Sequence, residues 1–162
     1  MTSNKMNTQK VTLITGITCH IIPMLIKRFH EAKIGNVPEV VISGTGIPRR
    51  EFLYMDDMAA ASVFVMLLDK ETYDSQTEPM QGHLNVSFGS DIMIAELANT
   101  VAQATRYLGK ISFNTSKPDG SPRKRMKSSR LNRLGRIPQV TLQHGLSAAY
   151  TEFLGRLELS ST

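Results

Sequence analysis

Polar and apolar positions along this chain switch repeatedly between a period of two and a period of 3.6. Residues 11–15 (VTLIT) are a short β-branched run that stops at Gly16, the pattern of a strand entering a turn. Residues 23–33 read as a helix: Pro23 suits a first turn, and Met24, Leu25, Phe29 and Ala32 share one face. Gly35, Asn36 and Pro38 break it, residues 40–42 form a strand, and residues 44–48 make a glycine-rich loop. Residues 51–54 read as extended. Asp56 and Asp57 then stand where N-caps belong, ahead of a helix through Ala60, Val63, Phe64, Met66 and Leu67. A polar connection fills 69–82, followed by a short strand at 83–86. Ser90 or Asp91 caps the next helix, whose apolar positions are Ile94, Leu97, Ala98, Val101 and Ala102. A strand at 111–113, a basic loop over 117–127, helices near 129–134 and 142–154, and a tail from Glu158 complete the reading.

Strands alternating with helices predict an α/β fold. The strands are too few for a complete doubly wound sheet, so the expected architecture is an incomplete Rossmann-type remnant beside a small α/β substrate-binding domain. The chain divides into a disordered lead-in at 1–10, a strand stub at 11–19, the main region at 20–155 and a tail at 156–162. No internal repeat or low-complexity tract interrupts it.

Composition changes this picture little. The 162 residues are 41% hydrophobic and 20% charged, which is ordinary for one globular domain. No apolar run approaches the roughly 20 residues of a membrane helix, and the polar first ten residues lack the apolar stretch of a secretory signal. One cysteine, Cys19, excludes an internal disulfide and suits a reducing cytosol, so the expected location is cytoplasmic. The net charge of +5 favours polyanionic partners, a nucleoside diphosphate as well as a nucleic acid.

Two segments carry candidate chemistry. In residues 44–50 (GTGIPRR), two glycines allow close backbone approach and two arginines offer planar, bidentate donors to phosphate. The same pattern also describes a plain strand-to-strand loop with solvated arginines. In residues 117–125 (KPDGSPRKR), a Pro-Asp-Gly turn leads into a basic cluster, either an anion clamp or a solvated loop. His20 has no carboxylate near it in sequence, and His30, His83 and His144 lack ligand spacing, so no metal site is expected. The methionine-rich stretch 55–66 reads as core. A dinucleotide loop needs further glycines after Gly16, yet the chain continues Ile17, Thr18, Cys19, His20.

Four segments bear a family likeness. Residues 20–33 (HIIPMLIKRFHEAK), 38–66 (PEVVISGTGIPRREFLYMDDMAAASVFVM), 83–89 (HLNVSFG) and 116–124 (SKPDGSPRK) resemble, in order and spacing, the GDP-L-fucose synthases. These are NADP-dependent 3,5-epimerase/4-reductases of GDP-4-keto-6-deoxy-D-mannose in the extended short-chain dehydrogenase/reductase group. The resemblance implies that His20 lies near the cofactor as an acid in epimerisation, with Gly16 as a remnant of the cofactor loop. It implies substrate contacts at Arg28, at Arg50 on the GDP phosphates, at Lys110, and at Lys124 near the nucleotide. Ser43 stands where the family has an aromatic substrate contact, Ser87 and Phe88 replace a Gly-Thr pair, and Lys127 replaces an acidic residue. Residues 10–18 (KVTLITGIT) resemble instead the first strand of GDP-mannose 4,6-dehydratase, so the chain reads as truncated or joined near Cys19.

The reductive step of such enzymes uses a Tyr-x-x-x-Lys pair to protonate a developing alkoxide. Four residues beyond Tyr54, Tyr73, Tyr107 and Tyr150 stand Met58, Thr77, Ile111 and Leu154, so the pair is absent. The expectation is therefore a chain that binds no NADP and is inactive alone, with GDP-sugar binding weak or lost. One alternative is a piece of a split enzyme completed by an NADP-domain partner chain. A nucleic-acid module built on residues 123–136 is disfavoured, because no aromatic interleaves the charge.

Overall fold

A computed structural model of the chain describes residues 21–78 and 80–160, and within them the fold is α/β with parallel strand pairing, as the alternation predicts. The strand read at 11–15, the lead-in, Gly16, Cys19 and His20 lie outside the described residues, as do the last two positions.

Helix α1 spans Ile21–Ile34 and starts two residues before Pro23, which therefore sits in the first turn, where a missing N–H leaves no bond unmade. Its buried stripe is Leu25, Ile26, Phe29, His30 and Ala32. Met24, expected on that stripe, is 58% exposed, because it lies about 100° round the helix from Leu25. The helix ends on Asn36 at φ 49°, a left-handed position that asparagine tolerates, with the Val37 N–H donating to the Ala32 carbonyl at 2.8 Å.

Strand β1 (Glu39–Ser43) follows and pairs in parallel with β4 (Lys110–Asn114), from Glu39 opposite Lys110 to Ser43 opposite Asn114. Val40 and Ile42 face the core and Val41 faces out, as strand alternation requires. Helix α4 (Ile94–Thr105) lies between these strands in sequence and buries all five apolar positions expected of it. Those residues, the stripe of α1, and Leu146 and Tyr150 of α6 (Leu142–Ser160) form the larger core. Helix α6 runs on through residues 158–160, where a tail was expected, with Glu152 and Arg156 paired one turn apart.

A second sheet orders β3 (Ile92–Met93), β2 (Arg49–Arg50) and β5 (Arg123–Lys124), with β2 in the middle. Strand β5 falls inside the stretch read as a loop, and the extended piece expected at 51–54 is displaced to β2. The ladder stops after Arg50 because Glu51 ties the next position through its side chain, accepting from the Gly89 and Met126 N–H groups.

Helix α2 spans Met55–Met66, and α3 (Lys70–Ser75) occupies part of the expected polar connection, capped by Asp69 through the Thr72 N–H at 2.8 Å. Ala61 and Val65 of α2 pack on Tyr73, Leu84, Val86 and Leu131, the last from α5 (Ser129–Arg133). Met55 and Met66, read as core, are exposed on the opposite side of α2. Residues 83–86 alternate in burial as a strand does, yet join no ladder among the described residues.

Two cap assignments change. The residue capping α2 is Tyr54, and the one capping α4 is Met93, whose N–H is held by Glu96 at 2.8 Å. Asp57 and Asp91 are both buried and bridge distant segments instead.

Candidate anion-binding site

The two basic segments of the sequence meet in the second sheet. The Arg49 N–H donates to the Pro122 carbonyl at 2.8 Å, and the parallel register sets Arg49 opposite Arg123 and Arg50 opposite Lys124. The preceding loop is locked from both sides. Asp119, of the Pro-Asp-Gly turn, accepts from the Thr45 N–H at 2.8 Å and the Thr45 hydroxyl at 2.6 Å. These bonds, the hydroxyl's first, hold the Asp119 carboxyl below its usual pKa. Gly44 and Gly46 have φ of 90° and 78°, and the space a side chain would need is filled by the Asp119 carboxylate and the Phe113 ring. Their lack of a side chain lets protein, rather than a ligand, come close.

Asp91 organises the cations. Its side chain is 3% exposed and bridges two guanidiniums, accepting from Arg49 Nε at 2.7 Å on one oxygen and from Arg123 Nε on the other. Arg49 also donates to the Asp91 carbonyl at 2.7 Å. The Arg123 bond, then that of Arg49, holds the Asp91 carboxyl below the usual range, with burial opposing. Two arginines are thereby ion-paired to one carboxylate, and β2, β3 and β5 are pinned together. Arg50 and Lys124 are not: Arg50 donates only to the Arg49 carbonyl at 2.7 Å, and neither is ion-paired among the described residues.

Strand alternation divides the rest. Arg123 and Arg125 line an open cleft of about 590 Å³ together with Lys127, Ser129 and Asn132, whereas Arg50 and Lys124 share the other face of the ribbon. Arg125 is held by the Gly89 carbonyl, which orients a guanidinium without neutralising it. Residues 117–136 contain eight lysines and arginines against one aspartate, so the positive charge of the whole chain is concentrated here.

Of the sequence-predicted contacts, the structure brings Arg50 and Lys124 together and puts Ser43 at the end of β1, next to the locked loop. Lys110 stands at the opposite end of the parallel pair, four residues or about 13 Å away along the strand, and is ion-paired with Glu39 at 3.0 Å. Arg28 lies on the exposed side of α1. Sequence reasoning missed Asp91 as an anchor, since its partners are 42 and 32 residues away. It also missed Ser129 and Asn132, which carry no local signal. No group of three or more His, Cys, Asp or Glu side chains that could hold a metal gathers among the described residues, and no described helix is long and apolar enough to cross a membrane.

The Asp91 bridge has a pH signature. A carboxylate whose folded pKa is depressed stabilises the fold above its unfolded pKa of about 3.9 and loses that contribution as pH falls through the folded value. The urea midpoint is thus expected to fall steeply below about pH 4. Asp91→Asn should lower the midpoint at pH 7 and flatten the acid limb. An unchanged limb in that variant would show that the bridge contributes nothing.

Comparison with known proteins places this architecture. Residues 14–78 match the model of the NAD dependent epimerase/dehydratase family. The chain is 49% identical over 135 residues to GDP-L-fucose synthase of Escherichia coli, across 83% of this chain and 42% of that protein. It is 46% identical to GDP-L-fucose synthase 1 of Arabidopsis thaliana, across 83% of this chain and 39% of that protein. Over these stretches the chain is similar to the epimerase/dehydratase family. It spans about two-fifths of the length of these curated relatives.

The fold agrees with this placement. A GDP-mannoheptose C4 reductase from Campylobacter jejuni, solved with NADP bound, superposes with a TM-score of 0.72 at 28% identity, covering 89% of this chain and 47% of that one. Among the described residues, the glycine pair beside the parallel strands, Gly44 and Gly46, is filled by Asp119 and Phe113, and its loop leads to a strand rather than a helix.

Proposed function

We propose that this chain is a GDP-sugar-binding member of the GDP-L-fucose synthase group, in which Arg50 and Lys124 hold the diphosphate. The observation that carries this is their pairing. Two cations face each other across a ladder with no acidic partner among the described residues, an arrangement that costs roughly 0.2–1 kcal/mol until an anion lies between them. A pyrophosphate relieves that repulsion, the arginine by paired N–H donors and the lysine as a point charge. Ser43 and Arg28 are assigned to the sugar end of the ligand, GDP-4-keto-6-deoxy-D-mannose by the resemblance. The chain's own residues bind and orient; none of its four tyrosines is followed four residues on by a lysine, so these residues supply no Tyr-x-x-x-Lys proton donor.

Calorimetric titration with GDP in low salt tests the reading. Binding in the micromolar to sub-millimolar range is expected, weakened about 10- to 100-fold in Arg50→Ala/Lys124→Ala and unchanged in Lys110→Ala. No heat at millimolar GDP removes the proposal. Oxidation of NADPH by the purified chain given the keto-sugar nucleotide would remove its account of the missing proton donor.

A further inference from the structure

Two of the positions at which the sequence departs from the GDP-L-fucose synthase pattern meet in the fold. Ser87, from the pair that replaces Gly-Thr, is 2% exposed and donates its hydroxyl to the Met126 carbonyl at 3.2 Å. Lys127, in place of an acidic residue, follows directly and lines the open cleft of about 590 Å³ together with Gly89, Arg123, Arg125, Ser129 and Asn132. A position that carries an acid in the resembled family thus adds a third cation to one concavity.

The wall that carries these cations is fixed before any ligand arrives. Glu51 accepts the Gly89 N–H and, at 3.1 Å, the Met126 N–H, while Asn85 Nδ2 donates to the Lys127 carbonyl at 3.2 Å. Arg125 donates through Nη2 to the Gly89 carbonyl, a bond that takes one of its five N–H donors and keeps its charge. Arg123 is gripped through Nε by Asp91. Side chains anchored in this way lose little further freedom when they meet an anion.

Charge and lining then narrow the ligand. Arg49, Arg123, Arg125 and Lys127 stand against Asp91 and Glu51, so these groups in and behind the cleft carry two net positive charges. A phosphomonoester, at about −1.5 to −2 near pH 7, complements that. The volume falls within the range of about 300–1,000 Å³ usual for small-molecule sites. The described lining offers a hydroxyl at Ser129 and an amide at Asn132, partners for sugar hydroxyls, rather than the aromatic face on which a nucleobase stacks.

We propose that this cleft is a second anion site, which takes a sugar phosphate through Arg123, Arg125 and Lys127. Strand register puts Arg50 and Lys124 on the other face of the ribbon, so the two sites are separate. The inference stands whether or not that pair holds a diphosphate.

Glucose 6-phosphate titrated against the full chain in low salt, followed by amide chemical shifts, tests it. Saturable shifts are expected at Gly89, Lys127, Ser129 and Asn132, and they should persist in Arg50→Ala/Lys124→Ala. Arg125→Gln/Lys127→Glu should weaken binding about 10- to 100-fold. Inorganic phosphate should act on the same residues more weakly, because it brings no hydroxyl groups for Ser129 and Asn132. No saturable shift at millimolar glucose 6-phosphate overturns the proposal, as does binding that is lost in Arg50→Ala/Lys124→Ala and kept in Arg125→Gln/Lys127→Glu. Equal weakening in both variants overturns it too, by reducing the effect to general attraction for anions. Inorganic phosphate bound as tightly as the sugar phosphate overturns the assignment of a sugar. Should Arg125→Gln/Lys127→Glu fail to fold, the exposed Asn132→Ala decides the matter. Weaker glucose 6-phosphate at unchanged inorganic phosphate supports the site, and no change in either overturns it.

Discussion

Phe29→Ala is expected to lower the stability of this chain by about 3–5 kcal/mol, read as a fall in the urea midpoint at unchanged slope. Phe29 is wholly buried and is the largest fully enclosed side chain of the protein among the described residues. Its ring lies 5.3 Å from that of Tyr107, whose hydroxyl donates to the Val37 carbonyl and so ties the end of α4 to the end of α1. Truncation removes the ring and leaves a cavity between elements that cannot close independently. Leu97 and Val101 of α4 are also fully buried, and β1 and β4 fix the floor. Domains of this size are stable by only about 5–15 kcal/mol, so the loss is a large fraction of the total. Phe29→Leu should cost markedly less, because it keeps most of the volume. A midpoint unmoved by the alanine would mean that this core is not the one that holds the fold.

Asp57→Ala is expected to cost about 2–4 kcal/mol. The carboxylate is 5% exposed and accepts the Gln139 N–H at 2.9 and 3.0 Å and the Val140 N–H at 2.8 Å. It is a strut from the first turn of α2 to the segment that leads into α6, spanning 82 residues of sequence. Alanine leaves two inward-facing donors without partners and frees the start of α6, whose Leu142 and Leu146 belong to the larger core. Asp57→Asn keeps one acceptor and should recover about half of the loss. The neighbouring Asp56→Ala, at an exposed position, should stay within about 0.5 kcal/mol. Equal effects at 56 and 57 would restore the helix-cap reading that the sequence first suggests.

These two residues show where local pattern suffices and where it stops. Phe29 is legible as core from its 3.6-residue spacing with Leu25 and Ala32, because helix burial depends on neighbours a turn away. Asp57 is not. An aspartate ahead of an apolar helix looks like a cap, and only the return of the chain at Gln139 makes it a cross-link. Asp91 repeats the case: read as a cap for α4, it serves two arginines brought in from β2 and β5. The two-residue strands of the second sheet are equally invisible in advance, since pieces so short have no periodicity and exist only by pairing.

By itself, the sequence determined the α/β class, the buried face of α4 and, Met24 apart, that of α1, the strands near 40–42 and 111–113, and the likeness to the GDP-L-fucose synthases. All of these rest on spacing within a dozen residues or on an unbroken string of matching letters. Only the tertiary structure decided which cations remain free to meet an anion. That depends on Asp91 pairing with Arg49 and Arg123 while register leaves Arg50 facing Lys124, and charge pairing across a sheet is a property of distances in space that no local pattern encodes.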